Sequence, residues 1–215
     1  MGFLGDLLKS LFGGGAGSRA APGGSRASHA RRSDGSHQPE LLRGRGLPEV
    51  ATRDALANAL GIERRHLDWL AYPDEDEESR HYAAFAVPKR SGGYRVIYAP
   101  KRRLKAVQEW IHREILSKVP PGPPAHGFTR GRSILTNAEP HAQAAIVLTL
   151  DLEDFFPSVT FRRVRGLFQS LGYGADVAIA PGMLCTVRPA KKVREFLGGI
   201  KHRMLPQGAP TSPGL

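Results

Sequence analysis

Leu148-Thr149-Leu150-Asp151-Leu152-Glu153-Asp154-Phe155-Phe156-Pro157-Ser158 is the stretch on which the reading of this chain turns. Ala145 to Leu150 is an apolar run rich in β-branched residues, broken only by Thr149, which is the pattern of a buried strand. Such a strand runs directly into Asp151 and delivers a carboxylate to a fixed point at a sheet edge. An isolated buried carboxylate is costly, so it needs a cation or a hydrogen-bonded partner. Phosphoryl transfer supplies a reason for one: two divalent ions about 3.5–4 Å apart clamp the attacking and leaving oxygens. Mg²⁺ takes a few carboxylates together with phosphates and water. On that reading Asp151 is a metal ligand, the Leu152 carbonyl a second, and Asp154 lies near an incoming nucleotide. The plain alternative is that Asp151 ends the strand and Asp154 faces water.

Downstream, Thr160 caps a helix to about Leu171 with Val164, Leu167, Phe168 and Leu171 inward. Ala175 to Val187 is apolar, and Pro181-Gly182 is expected to kink or split it. Arg188 to Ile200 is basic and helical in part. Leu205-Pro206-Gln207-Gly208-Ala209-Pro210-Thr211-Ser212-Pro213 places a Gln-Gly pair between two Pro-bounded turns, a rigid backbone platform.

Upstream, His81 to Val87 and Tyr94 to Tyr98 read as a β-hairpin, with Pro88 ending the first strand and Ser91-Gly92-Gly93 turning. Lys101 to Val119 reads as a helix with Leu104, Val107, Ile111 and Ile115 on one face. Lys101, Arg102, Arg103 and Lys105 make its first turn basic, against the helix dipole, which suits either a bound phosphate or a solvated face. Pro120 to Pro124 breaks that helix, and a short one follows near Ile134 to Asn137.

Leu47 to Tyr72 reads as a helical pair. Thr52 caps the first helix, Gly61 fits the left-handed cap that ends it, and Ile62 leads into Leu67, Trp69 and Leu70. The pair resembles a helix-turn-helix core, a DNA reader, or is a small unit packed on a larger domain. The candidate recognition helix carries Glu63 and Asp68 as well as Arg64 and Arg65, so it is not clearly basic. Asp74 to Glu78 is an acidic run read as a solvated hinge. Met1 to Phe12 reads as a short amphipathic helix, and Gly13 to Gly46, rich in Gly, Ser, Ala and Arg, reads as a disordered basic leader. The domain boundaries expected are therefore 1–46, 47–80 and 81–215.

A chain of 215 residues suits one or two domains, and 40% hydrophobic residues suffice for a core. A net charge of +11 implies a polyanionic partner, nucleic acid before an anionic membrane surface. No run approaches the roughly 20 apolar residues that a membrane span needs. One cysteine, Cys185, excludes an internal disulfide and a Cys-rich zinc site, and fits a reducing, cytoplasmic setting.

Taken together, four blocks resemble bacterial reverse transcriptases in content and order. Val87-Pro88-Lys89 with Gly93 to Pro100 looks like their fingers hairpin. Ala125-His126-Gly127-Phe128 with Gly131-Arg132-Ser133-Ile134 looks like the next block, Asp151 to Ser158 like the first catalytic block, and Leu205 to Pro213 like the glutamine platform. Asn137-Ala138-Glu139-Pro140-His141 matches the N-A-x-x-H motif typical of the retron type. The resemblance covers about His81 to Leu215 and implies an α+β fold: fingers and part of the palm of a right-hand polymerase.

It also implies roles. Asp151 would bind the two catalytic Mg²⁺ ions with the Leu152 carbonyl, and Lys89 and Arg95 would grip a triphosphate. Asp154 lies beside the nucleotide, Phe156 would be the gate against a ribose 2′-hydroxyl, and Gln207 and Gly208 would line the nucleotide and template site. Asn137, His141, Arg102, Arg103 and Lys105 would contact RNA. The implied activity is RNA-directed DNA synthesis from dNTPs on a cognate structured RNA. The implied product is single-stranded DNA linked to that RNA, in antiphage defence, with an effector protein as a possible partner. The Y-x-D-D box with the remaining catalytic carboxylates does not occur in these residues, so the 215-residue chain alone is expected to be inactive. The rival readings are a non-catalytic nucleic-acid binder using residues 52–71 and a group II intron-type reverse transcriptase.

Overall fold

A computed structural model describes residues 35–73, 79–90, 92–194, 197 and 199–215. The amphipathic segment expected over 1–12, most of the leader and the acidic run 74–78 lie outside the described residues. The elements are α1 (Pro39–Gly44), α2 (Arg53–Ala59), α3 (Arg64–Ala71), β1 (Tyr82–Pro88), β2 (Tyr94–Pro100), α4 (Arg102–Glu114), α5 (Ile134–Ala138), α6 (Phe155–Ser158), α7 (Phe161–Leu171), α8 (Ala175–Leu184) and α9 (Lys191–Arg194), with short 3₁₀ turns between some of them. The mixture of helices with a two-stranded sheet is α+β.

The helical pair forms as its local signals dictate. Thr52 accepts a hydrogen bond from the Ala55 N–H on its side-chain oxygen at 3.1 Å, and Gly61 takes φ +66°. β1 and β2 pair antiparallel in the register Tyr82↔Pro100 to Pro88↔Tyr94. α4 buries Leu104, Val107 and Ile111, and Ile115 follows them into the core. On α7, Val164, Phe168 and Leu171 are buried.

α8 is the hub. It packs against α2, α3, α4 and α7, and it buries Val177, Ala178, Ala180, Pro181, Gly182 and Leu184. A helix with neighbours along most of its surface has little polar stripe to show; only Asp176 stands exposed. Pro181 was expected to kink or split this segment, yet the helix runs through it to Leu184. Packing against four other helices holds the backbone where an isolated helix would break. Gly182 serves close packing: a Cβ there would lie 3.0 Å from Phe161 Cε2. Across the same core, the Gln108 amide, fully buried, donates to Leu184 O at 2.7 Å and to the Tyr82 hydroxyl at 2.8 Å. This ties α4, β1 and the end of α8 together.

Two further expectations are corrected. Composition assigns residues 39–46 to the leader, but Pro39–Gly44 is helical and Leu42 is fully buried. Gln38 N–H donates to Gly172 O at 2.8 Å. Gly172, at φ +115°, leaves room that a Cβ would take from Gln38 O at 3.0 Å and Leu42 Cγ at 3.2 Å. Leu42, with Leu41 beside it at Gly172 and Leu47 buried further on, anchors a stretch whose composition argues otherwise. Conversely, residues 145–150 form no strand, and Ile146, Leu148 and Leu150 are 87%, 72% and 80% exposed. A strand requires a neighbour to complete its backbone hydrogen bonds, and among the described residues the sheet is β1–β2 alone. The apolar pattern records what the segment is suited to, not whether a partner is in reach.

Candidate active site

Asp151 follows this exposed stretch. Asp154, three residues on, adopts a left-handed backbone at φ +49°, and that turn starts α6 with Phe155 and Phe156. Aspartate tolerates this region better than most residues. The two rings meet edge to face, centroids 5.9 Å apart; Phe155 is 49% exposed, while Phe156 is half-buried against the core.

The platform is anchored on three sides. Met204 and Val187 exchange backbone hydrogen bonds at 2.9 Å each, Leu205 N–H donates to Val159 O at 2.9 Å, and Tyr98 N–H donates to Gln207 O at 2.8 Å. The buried Ser212 hydroxyl donates to Pro206 O at 2.6 Å and closes the turn internally. Arg203 reaches back to Thr186 O at 2.7 Å and Met183 O at 3.1 Å, fixing the approach to the platform on the end of α8.

These elements enclose a cleft of about 590 Å³. Lys89 and Arg95 line it from the hairpin, Leu150, Asp151, Leu152, Asp154, Phe156 and Pro157 from the central loop and α6, and Gln207 from the platform. The lining therefore combines cations from the hairpin, carboxylates from the central loop, and aromatic and apolar side chains. Gly208, the residue after Gln207, packs against Ile97 and Tyr98 of β2 at φ +108° and is not itself part of the lining. Of the residues singled out in the sequence, Lys89, Arg95, Asp151, Leu152, Asp154, Phe156 and Gln207 are brought together here.

The others lie elsewhere. His141 lines a separate apolar hollow with Leu135, Ala138 and Val147. Asn137 is exposed on α5, and Arg102, Arg103 and Lys105 are exposed on the first turns of α4. Sequence reasoning passed over Tyr94, Leu197 and Met204, which also line the cleft. Tyr94, 60% exposed beside Arg95, was the one with a local signal.

The donor set suits Mg²⁺ in kind: carboxylate and carbonyl oxygens of Asp151, Asp154 and Leu152 in an open cleft where water and phosphate oxygens can complete a coordination shell. Among the described residues no group of three or more His, Cys, Asp or Glu side chains surrounds one point. Cys185 takes no part: burial pushes its thiol up to about 12, so it stays protonated. Among the described residues no helix is long and apolar enough to cross a membrane.

The family model for reverse transcriptase (RNA-dependent DNA polymerase) matches residues 87–215. The chain is 43% identical over 187 residues to the retron Mx162 reverse transcriptase of Myxococcus xanthus, covering 85% of this chain and 38% of that one. It is 50% identical over 175 residues to the retron Mx65 reverse transcriptase of the same organism, covering 79% and 41%. It is 37% identical over 176 residues to the retron Ec86 reverse transcriptase of Escherichia coli, covering 81% and 49%. The chain thus spans less than half the length of these relatives.

Proposed function

The chain belongs to the reverse transcriptase family, in its retron type, and on that premise we propose that the protein carrying these residues is an RNA-directed DNA polymerase. It copies a structured RNA into single-stranded DNA linked to that RNA. The observation that supports this best is the single cleft shared by Lys89, Arg95, Asp151, Asp154, Phe156 and Gln207.

In the proposed reaction the 3′-hydroxyl of the growing strand attacks the α-phosphorus of a dNTP and pyrophosphate leaves. Lys89 and Arg95 face the triphosphate and stabilise its charge; the guanidinium offers the bidentate contact. Gln207 and Gly208 set the floor on which the nascent pair rests. Phe156 closes the space beside the sugar, so that a 2′-hydroxyl is excluded. Asp151, with the Leu152 carbonyl, would hold Mg²⁺, which when bound neutralises the developing charge and activates the attacking oxygen. The family generally uses this ion, and the oxygen donors fit it.

We extend the proposal to cytoplasmic antiphage defence alongside an effector protein, the role implied by the retron type. The 215 residues expressed alone are expected not to sustain synthesis, because one catalytic carboxylate does not complete a two-metal site. The rival use of α2 and α3 as a DNA reader finds no support in their charge. Arg64 is held by Asp68 at 2.9 Å and Asp54 at 3.0 Å, and Arg65 pairs with Glu63. The test is primer extension by the full-length protein on an RNA template with dNTPs and Mg²⁺. Template-dependent DNA product supports the reading; its absence, with RNA binding intact, would sink it.

A further inference from the structure

A charged and aromatic surface lies apart from the cleft. Trp69, in the last turn of α3, is 40% exposed. The buried His81 donates from Nε2 to the Trp69 carbonyl at 2.9 Å, and its ring meets the indole edge-on with centroids 4.3 Å apart. The Arg103 and Arg80 guanidiniums each lie 5.8 Å from the indole centroid. Lys101, whose N–H donates to His81 O at 2.8 Å, and Arg102 are exposed beside them. Among the described residues no carboxylate is paired with Lys101, Arg102 or Arg103, whereas Lys105 is turned to Glu109 at 3.8 Å.

We propose that Trp69, Lys101, Arg102 and Arg103 form a second RNA-binding site that holds an unpaired stretch of the template RNA outside the synthetic cleft. This deepens the polymerase reading and rests on it for the identity of the nucleic acid. Three exposed cations within one turn suit successive phosphates, and charge complementarity commits the surface to a polyanion. A part-exposed indole with guanidiniums at hand adds what phosphate attraction lacks, a π-surface for an unstacked base. Because His81 holds the Trp69 backbone and packs against its ring, less ordering remains to oppose binding. The site joins the Tyr82–Pro100 end of the hairpin, whereas Lys89 and Arg95 sit towards the Pro88–Tyr94 end. Seven paired residues separate the two ends by about 20 Å. A strand gripped at the far end can therefore be retained while the cleft turns over.

The test uses the full-length protein and a thiouridine-substituted oligouridine, with binding and photo-crosslinking read in the absence of dNTPs. Trp69→Ala is expected to weaken binding about five- to 100-fold and Trp69→Phe to retain most of it. Arg102→Ala with Arg103→Ala is expected to lower the slope of log affinity against log salt by about 1 to 2. Crosslinks are expected on the peptide containing Trp69. Wild-type affinity and slope in all variants, with no crosslink there, overturns the site. So does binding to phosphatidylserine vesicles that depends on Arg103 while RNA affinity does not. Binding and crosslinking that persist in a protein unable to extend primers would sink the polymerase reading and leave this site standing. Thermal melts of Trp69→Phe and Arg103→Lys separate binding loss from misfolding.

Discussion

The Tyr98 N–H donates to the Gln207 carbonyl at 2.8 Å, so the hairpin and the platform are joined by a backbone bond beneath the cleft they both line. The bond sets their spacing, and Gly208 makes it possible. At φ +108°, a Cβ on residue 208 would meet Ile97 Cγ2 at 2.8 Å and Tyr98 O at 3.4 Å. Gly208→Ala must push the platform off β2. The expected loss is on the order of 1–3 kcal/mol, from backbone strain and overpacking together. A thermal melt reads the stability, and in primer extension KM for dNTP should rise more than kcat falls. An unchanged melt and KM would show that the platform is free to shift.

Asp151 occupies an open loop rather than the end of a buried strand, so its carboxylate does little for the fold. Asp151→Asn is nearly isosteric and removes only the charge. Primer extension should fall by more than about 100-fold, as expected when charge stabilisation in the transition state is lost. RNA affinity and thermal stability should remain near wild type. Retained synthesis would remove Asp151 from the metal site.

Phe156 is half-buried against the core while its neighbour Phe155 stands more open. A ring wedged there has little room to yield to an added oxygen. Phe156→Ala should narrow the preference for dNTP over rNTP by about 10- to 100-fold, the range typical of a change in pocket size. The ratio of kcat/KM values for the two nucleotides measures it. Phe156→Tyr is the control: it keeps a ring of similar bulk and should leave the ratio close to wild type.

Local signals carried much of this molecule. The Thr52 cap, the turn glycines Gly92 and Gly93, and the four-residue spacing of Val107, Ile111 and Ile115 act within a few residues, so they were legible in order. Distant neighbours were not. Leu41-Leu42 reads as a short apolar pair in a polar leader until the space beside Gly172 is known. Pro181 reads as a break until α8 is seen packed against α2, α3, α4 and α7. The run 145–150 misled in the opposite sense, since periodicity cannot say whether a partner strand is present. The cleft shows the same division. Lys89, Arg95, Asp151 and Gln207 were found through motifs, but Leu197 and Met204 reach it only through tertiary packing.

His81 provides a pH test of the region around Trp69. Burial lowers its pKa below the ordinary value of 6.5, the nearby charges of Arg80 and Lys101 lower it further, and the bond to the Trp69 carbonyl opposes them. In the unfolded chain the imidazole takes up a proton near 6.5, whereas in the folded protein it resists until a lower pH. The unfolded state therefore binds more protons in that window, and stability must fall as pH drops through it. Above the unfolded value both states are neutral and His81 contributes no slope. Carboxylates add their own acid sensitivity, so the measurement is a difference: thermal melts of wild type and His81→Gln between pH 7.5 and 5. Glutamine can still donate to Trp69 O but does not titrate. Wild type should lose more stability than the variant across this interval, and parallel curves would mean that His81 titrates as freely in the fold as in the unfolded chain.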